Sequence, residues 1–228
     1  MNATHRRLIR IGATAFCTLS ATSGALAVQA SAATLAANKA CYVNADPVSG
    51  APMTISGAGF VPGATADLSG GTVSAQATVD PAGNLSFTTG APQLKSLTPG
   101  QINTTLIATA NNPDGSQTTA SIVVKSANLS VATKPGSVKN VGKNKVTFSF
   151  SGFTPGKRIY GYYMRKKIVA KATFGKASGP CGMLKERALL YPGGHPTSNQ
   201  YKVTFESSSR FSKNAFPRVT GTLNIIRF

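Results

Sequence analysis

Ser56-Gly57-Ala58-Gly59-Phe60-Val61-Pro62-Gly63 and Ser149-Phe150-Ser151-Gly152-Phe153-Thr154-Pro155-Gly156 are two versions of one phrase, displaced by 93 residues. Met53 and Ile55 upstream fall on Val146 and Phe148 at the same displacement, and Leu97-Thr98-Pro99-Gly100 falls on Leu190-Tyr191-Pro192-Gly193. One displacement shared by separate segments marks an internal repeat. The phrase itself has a mechanical meaning. Pro fixes φ for a turn, the following Gly can take φ > 0, and the Phe can plug the end of a β-sandwich.

The flanking sequence carries the period of two expected of strands. Val73, Ala75, Ala77 and Val79 alternate with polar residues, as do Val146, Phe148 and Phe150. Ile168, Ala170, Ala172 and Phe174 are expected to face inward, opposite Lys167, Val169, Lys171 and Thr173. Tyr201, Val203 and Phe205 form another inward row, and 219–226 closes the sheet. Asp80-Pro81-Ala82-Gly83-Asn84 reads as a turn, and Asn112-Pro113-Asp114-Gly115 as a hairpin between 104–110 and 118–125. No segment after residue 33 has helical periodicity. The expected fold is all-β: two tandem immunoglobulin-like sandwiches, 33–126 and 127–228, each near the ~100 residues such a domain needs.

Residues 1–32 read as an export signal. His5, Arg6, Arg7 and Arg10 form a basic start, 11–28 is apolar and small, and Ala30-Ser31-Ala32 is a cleavage site. No later stretch is apolar enough to span a bilayer, so the expectation is a secreted, extracellular protein, associated with the cell wall. Removing the signal removes Cys17 and leaves Cys41 and Cys181, which an oxidising compartment allows to pair. A bridge requires Cα atoms within about 7 Å, so the two units would have to fold back on each other. Pairing between chains is the other possibility. Cys41 is expected to begin the first strand, by analogy with Val131.

Phe153-Thr154-Pro155-Gly156-Lys157-Arg158-Ile159-Tyr160, Gly179-Pro180-Cys181-Gly182 and Tyr201-Lys202-Val203-Thr204-Phe205 resemble a group of uncharacterised secreted actinobacterial proteins with bacterial immunoglobulin-like domains. The resemblance covers roughly 140–228. It implies a fold and a location and no activity.

Catalysis is poorly supplied. Beyond the signal there is one His, His195, in a Gly-Gly-His-Pro loop, and no Gly-x-Ser-x-Gly elbow accompanies it. The acids are Asp46, Asp67, Asp80, Asp114, Glu186 and Glu206; Asp80 and Asp114 serve turns, and Glu186 reads as a surface ion-pair residue between Lys185 and Arg187. No phosphate loop, calcium loop or Cys-x-x-Cys metal spacing is present, so no cofactor, metal or enzymatic activity is expected. Without Trp, a glycan-binding aromatic platform would rest on Tyr160, Tyr162, Tyr163, Tyr191 or Tyr201.

Charge is the strongest functional signal. Residues 33–126 hold three Lys against four Asp, a net −1; residues 127–228 hold 18 Lys and Arg against two Glu, a net +16. Small domains ordinarily carry a net charge of magnitude about 2–8, so such a field draws polyanions. The basic clusters are Lys139-Lys143-Lys145, Lys157-Arg158, Arg165-Lys166-Lys167-Lys171 and Arg210-Lys213-Arg218. Lys157, Arg158, Arg165, Lys166, Lys167 and Lys171 are expected to form the binding surface. Outside a cell the matching partners are anionic cell-wall polymers and acidic polysaccharides; the alternative is a structural spacer protein of the cell surface whose charge is incidental. No nucleic-acid recognition module is present.

Overall fold

The structure, a computed structural model, describes residues 32–45, 50–96, 98–135, 140–194 and 196–225. The stretch expected to be an export signal (apart from Ala32), Asp46, Leu97, Lys139, His195, Ile226 and Arg227 lie outside the described residues. Every regular element among them is a strand.

The first half contains β1 (Thr34–Ala37), β2 (Tyr42–Asn44), β3 (Pro52–Ala58), β4 (Thr65–Gly70), β5 (Val73–Thr78), β6 (Leu85–Gly90), β7 (Gln101–Asn111) and β8 (Gln117–Asn128). The second contains β9 (Ser130–Lys134), β10 (Lys145–Ser151), β11 (Arg158–Met164), β12 (Ile168–Lys176), β13 (Leu184–Leu189), β14 (Asn199–Glu206) and β15 (Arg218–Ile225). The first half has a sheet ordered β1-β3-β6 and another ordered β2-β8-β7-β4-β5. The second half repeats this as β9-β10-β13 and β15-β14-β11-β12, with β2 as the one strand lacking a counterpart among the described residues. The offset of 93 that relates the two sequence phrases also carries β3 onto β10 and the start of β4 onto the start of β11.

Alternation decides which faces meet. Met53 and Ile55 of β3, Phe87 of β6, Leu68 of β4, Leu106 of β7 and Val124 of β8 pack into one core. Phe148 and Phe150 of β10, Ile159 and Tyr163 of β11, Phe174 of β12 and Val203 and Phe205 of β14 pack into a second. Both cores are filled from two facing sheets, as a sandwich requires.

The repeated phrase forms the same corner twice. Phe60 and Phe153 are buried, and Gly63 and Gly156 have φ of 76° and 75°. Gly63 N donates to Val79 O at 3.1 Å, and Gly156 N donates to Ala177 O at 2.8 Å. Behind each Phe a second glycine closes the corner: Phe60 N donates to Gly83 O at 3.1 Å and Phe153 N to Gly182 O at 3.3 Å. A Cβ on Gly182 would lie 1.6 Å from Phe153 O, so only glycine fits there. The two Asp turns form as expected: Asp80 Oδ1 accepts from the backbone N of Ala82 and Asn84, and Asp114 Oδ1 from Ser116 N.

Cys41 and Cys181 are bonded, with Cα atoms 5.3 Å apart. The route differs from the expected one. Cys41 does not begin the first strand; Leu35 of β1, opposite Gly57, holds the place that Val131 of β9 holds opposite Phe150. Cys41 instead precedes β2, which runs parallel to the last residues of β8, with Tyr42 opposite Ser126 and Asn44 opposite Asn128. This brings Cys41 to the point where the chain passes into β9. Cys181 arrives there on the loop whose carbonyl accepts from Gly152 N. No folding back of one half on the other is needed. Leu129 N donates to Asn44 O at 2.9 Å, Ser151 Oγ donates to Asn128 O, and a Cβ on Gly152 would meet Val43 at 2.7 Å and Leu129 at 2.8 Å. The joint between the halves is thus packed, hydrogen-bonded and covalently closed.

Candidate functional site

The site is built on the outer face of the β12-β11-β14-β15 sheet. Antiparallel register places its outward residues in rows. Tyr160, Glu206 and Arg218 form the first, Tyr162, Thr204 and Thr220 the second, Met164, Lys202 and Thr222 the third, and Gln200 and Asn224 the fourth.

The first two rows are roofed, apart from the exposed Thr220 on β15. Residues 207–217, which join β14 to β15, fold back over them as a strap. Tyr162 Oη donates to Ser208 O at 2.8 Å, Lys171 Nζ donates to Ser209 O at 2.6 Å, and Ser212 N donates to Glu206 Oε1 at 3.1 Å. Phe211 meets Tyr162 edge-on at 5.5 Å, and the Arg218 guanidinium stacks 4.9 Å from Phe211 while donating to Ser212 O and Lys213 O. Thr204 and Glu206 are completely buried beneath this roof, and Glu206 Oε2 has no hydrogen-bond partner among the described residues. Burial first, and the Glu206 charge second, push the Tyr162 hydroxyl up to about 12.

Met164, Lys202 and Thr222 of the third row and Gln200 of the fourth stay open and line a groove. Its cations are Arg165, Lys166 and Lys167 from the β11–β12 hairpin, Lys202 from β14, and Lys213 and Arg218 from the strap and the start of β15. No carboxylate lines it among the described residues.

The six basic residues expected from sequence are not one patch. Arg165, Lys166 and Lys167 meet at the hairpin turn, where Arg165 N donates to Lys167 O at 3.0 Å. Arg158 lies at the other end of the hairpin, opposite Lys176, with Lys157 beside it. Seven residues of strand separate the two ends, about 23 Å. Lys171 lies between them and is held down, with Nζ 4.6 Å from the Tyr160 ring and 5.5 Å from the Tyr162 ring. Lys202 was outside the expected set. Its outward position between Tyr201 and Val203 is readable from alternation, but its place opposite Met164 depends on strand register. Ile168, expected inward, is exposed at 43%, because the register shifts between Tyr163 and Met164 and turns the first residue of β12 outward.

Two other candidates fall away. Tyr162, Tyr163, Tyr191 and Tyr201 are buried, and Tyr163, Tyr191 and Tyr201 pack in series with centroids 5.5 and 5.0 Å apart. Those three are core, Tyr162 lies beneath the strap, and Tyr160, partly exposed, is covered by the Lys171 ammonium, so these rings assemble no exposed aromatic platform. Glu186 is not a surface ion-pair residue: its Oε2 accepts from Gly175 N at 2.6 Å, tying β13 to β12. Among the described residues no group of His, Cys, Asp and Glu is placed to hold a metal, and no helix is long and apolar enough to cross a membrane.

The sequence matches no family model and no curated protein. Among solved structures the chain is similar to a tetra-tandem repeat from the extending region of a large adhesion protein, at 18% identity and TM-score 0.26, covering 85% of this chain and 48% of that one. It is also similar to a Ca2+-stabilised, ice-binding adhesin of an Antarctic bacterium, at 15% identity and TM-score 0.33, with the same coverages. A third similarity is to the human OSCAR ligand-binding domain, at 13% identity and TM-score 0.30, covering 86% of this chain and 98% of that one. The chain therefore spans about half the length of those two solved adhesin chains.

Proposed function

We propose that this chain is a secreted, non-enzymatic binding protein whose basic second half associates with anionic cell-wall polymers or acidic polysaccharides, while the near-neutral first half serves as a spacer. The observation that carries this reading is the convergence of six cations, Arg165, Lys166, Lys167, Lys202, Lys213 and Arg218, from the β11–β12 hairpin, β14, the strap and the start of β15 onto one groove without a lining carboxylate among the described residues. Local clusters along the chain would follow from composition alone; convergence from distant positions does not. A polyanion laid across such a surface releases counterions as it binds. The Cys41–Cys181 bridge supports an oxidising compartment.

The test is retention of the purified chain on immobilised teichoic acid and on polygalacturonate over a salt series. Binding should fall steeply between 50 and 200 mM salt, by about 10²-fold or more if several phosphates or carboxylates are contacted. The triple variant Lys166→Gln, Lys167→Gln, Lys202→Gln should elute at far lower salt with an unchanged thermal transition. Salt-insensitive retention, or retention unaffected by the triple variant, would overturn the reading.

A further inference from the structure

The groove has two chemically different ends. At one end the floor gives way to the hairpin and strap cations. At the other, the same groove continues past Arg165, Lys166 and Lys202 along Asn199, Gln200 and Thr222, which are exposed and uncharged. Gln200 Nε2 donates to Asn224 Oδ1 at 3.1 Å across the β14–β15 pair, and this bond orients both amides. On these two exposed side chains the bond leaves one acceptor, Gln200 Oε1, and one donor, Asn224 Nδ2, available to a ligand. Lys202 and Thr222 are directly opposite each other one row away, roughly 7 Å along the strands.

An acceptor and a donor side by side match a pair of neighbouring hydroxyls, one donating and one accepting. A cation about 7 Å away matches an acidic group on the same or the adjoining unit. A surface selected only for charge would have no use for this arrangement, since lysines anywhere on the face would serve. We propose that the groove recognises an anionic polymer with vicinal hydroxyls beside each acidic group, the charge held at the Arg165–Lys167 and Lys202 end and the diol at the Gln200–Asn224 end. This rests on the polyanion reading above and narrows it. The acidic group can be a phosphodiester or a carboxylate, and the probes separate those two.

The experiment measures binding of the purified chain to four polymers at matched charge concentration and fixed salt. Poly(ribitol phosphate) and polygalacturonate carry vicinal hydroxyls; polyphosphate and poly-L-glutamate carry none. The hydroxylated polymers should bind about five- to tenfold more tightly than their bare counterparts, the effect of one or two net hydrogen bonds. The larger gain within the phosphate pair or the carboxylate pair identifies the acidic group. In the double variant Gln200→Leu, Asn224→Leu that gain should vanish while binding to polyphosphate and poly-L-glutamate stays within about twofold; a thermal melt and the unchanged bare-polymer binding confirm that the sheet is intact. Equal binding of hydroxylated and bare polymers overturns the inference and leaves the polyanion reading standing, as does a double variant that weakens all four alike. Absence of binding to all four overturns both.

Discussion

The two halves of this chain share a strand order and differ in almost everything that fills and covers it. In the first half the core is built from small residues: Ala64, Ala66, Ala91, Ala108, Ala110 and Ala120 are buried, with Phe60, Phe87 and Tyr42 as the only buried aromatics of its cluster. In the second half Phe148, Phe150, Phe153, Phe174 and Phe205 form a connected set of rings with centroids 4.9–6.0 Å apart. The outer face of the first half's larger sheet is open and carries short polar side chains such as Thr65, Ser69 and Thr105. The matching face of the second half is roofed by the strap over most of two rows, cationic beside it and polar but uncharged at its far end. One backbone order thus accepts an alanine-rich, neutral sequence and an aromatic, basic one. What the order requires is the alternation and the corner, and side-chain size and charge are free to serve other ends.

The largest expected effect concerns what ties the halves together. The bridge closes a loop with a sequence separation of 140. Chain-entropy arithmetic for a loop of that length gives about 5 kcal/mol, in a model whose mechanism is disputed. In the variant Cys41→Ser, Cys181→Ser, denaturant unfolding followed by near-ultraviolet circular dichroism should move to clearly lower midpoints. It should also split into two transitions, one per core. A single transition at the original midpoint would show that the packed joint at Asn44, Leu129 and Gly152 holds the halves without the bond.

Core chemistry gives the next effect, opposite in character for the two halves. Phe174→Ala removes a ring that touches Phe148, Phe150 and Phe205, and should cost about 3–5 kcal/mol, confined to the second half's transition. The first half should instead be sensitive to enlargement. Ala108 is fully buried, and Ala108→Leu should cost about 1–3 kcal/mol by overpacking. If both substitutions shifted one common transition, the two cores would be acting as a single cooperative unit.

The smallest effect is at alkaline pH. Burial raises the phenols of Tyr42 in the first half and of Tyr162, Tyr163 and Tyr191 in the second. A raised phenol disfavours the ionised form in the folded state. Its stabilisation is therefore complete below the ordinary value near 10 and is lost as pH rises, for Tyr162 through about 12. Because three of the four raised phenols lie in the second half, alkaline unfolding should begin there. Tyrosinate absorbance between pH 10 and 12 should rise together with loss of the second half's circular dichroism signal. Earlier loss of the first half would reverse this part of the comparison.

Much of this architecture is legible in the chain because its signals are local. Alternation at Met53–Ile55 and Val146–Phe150, Pro-Gly corners after Phe60 and Phe153, and Asp-initiated turns at Asp80 and Asp114 each act within a few residues, and each forms as its chemistry dictates. The charge contrast between the halves is likewise a property of composition. The candidate site was legible only in part. Arg165, Lys166 and Lys167 are contiguous and remain together in the fold, whereas Lys171 joins them only by alternation along its strand, and Lys157 and Arg158 only by an antiparallel pairing expected to extend the patch. The antiparallel hairpin carries Lys157 and Arg158 to its far end.

Sequence alone therefore determined the strand content, the repeated corner, the presence of two pairable cysteines, Cys41 and Cys181, and the strongly positive half. Tertiary structure decided everything that depends on which strand lies beside which. The parallel pairing of β2 with β8 brings Cys41 to Cys181. The register of β14 between β11 and β15 sets Lys202 beside Met164 and Thr222. The return of residues 207–217 over the sheet buries Glu206 and sends Lys213 and Arg218 to the groove. The physical reason is the range of the forces. Turn geometry and alternation are fixed by neighbours in the chain. Strand register is fixed only when distant apolar faces must close on each other, because a slip of one residue would turn every buried side chain to water.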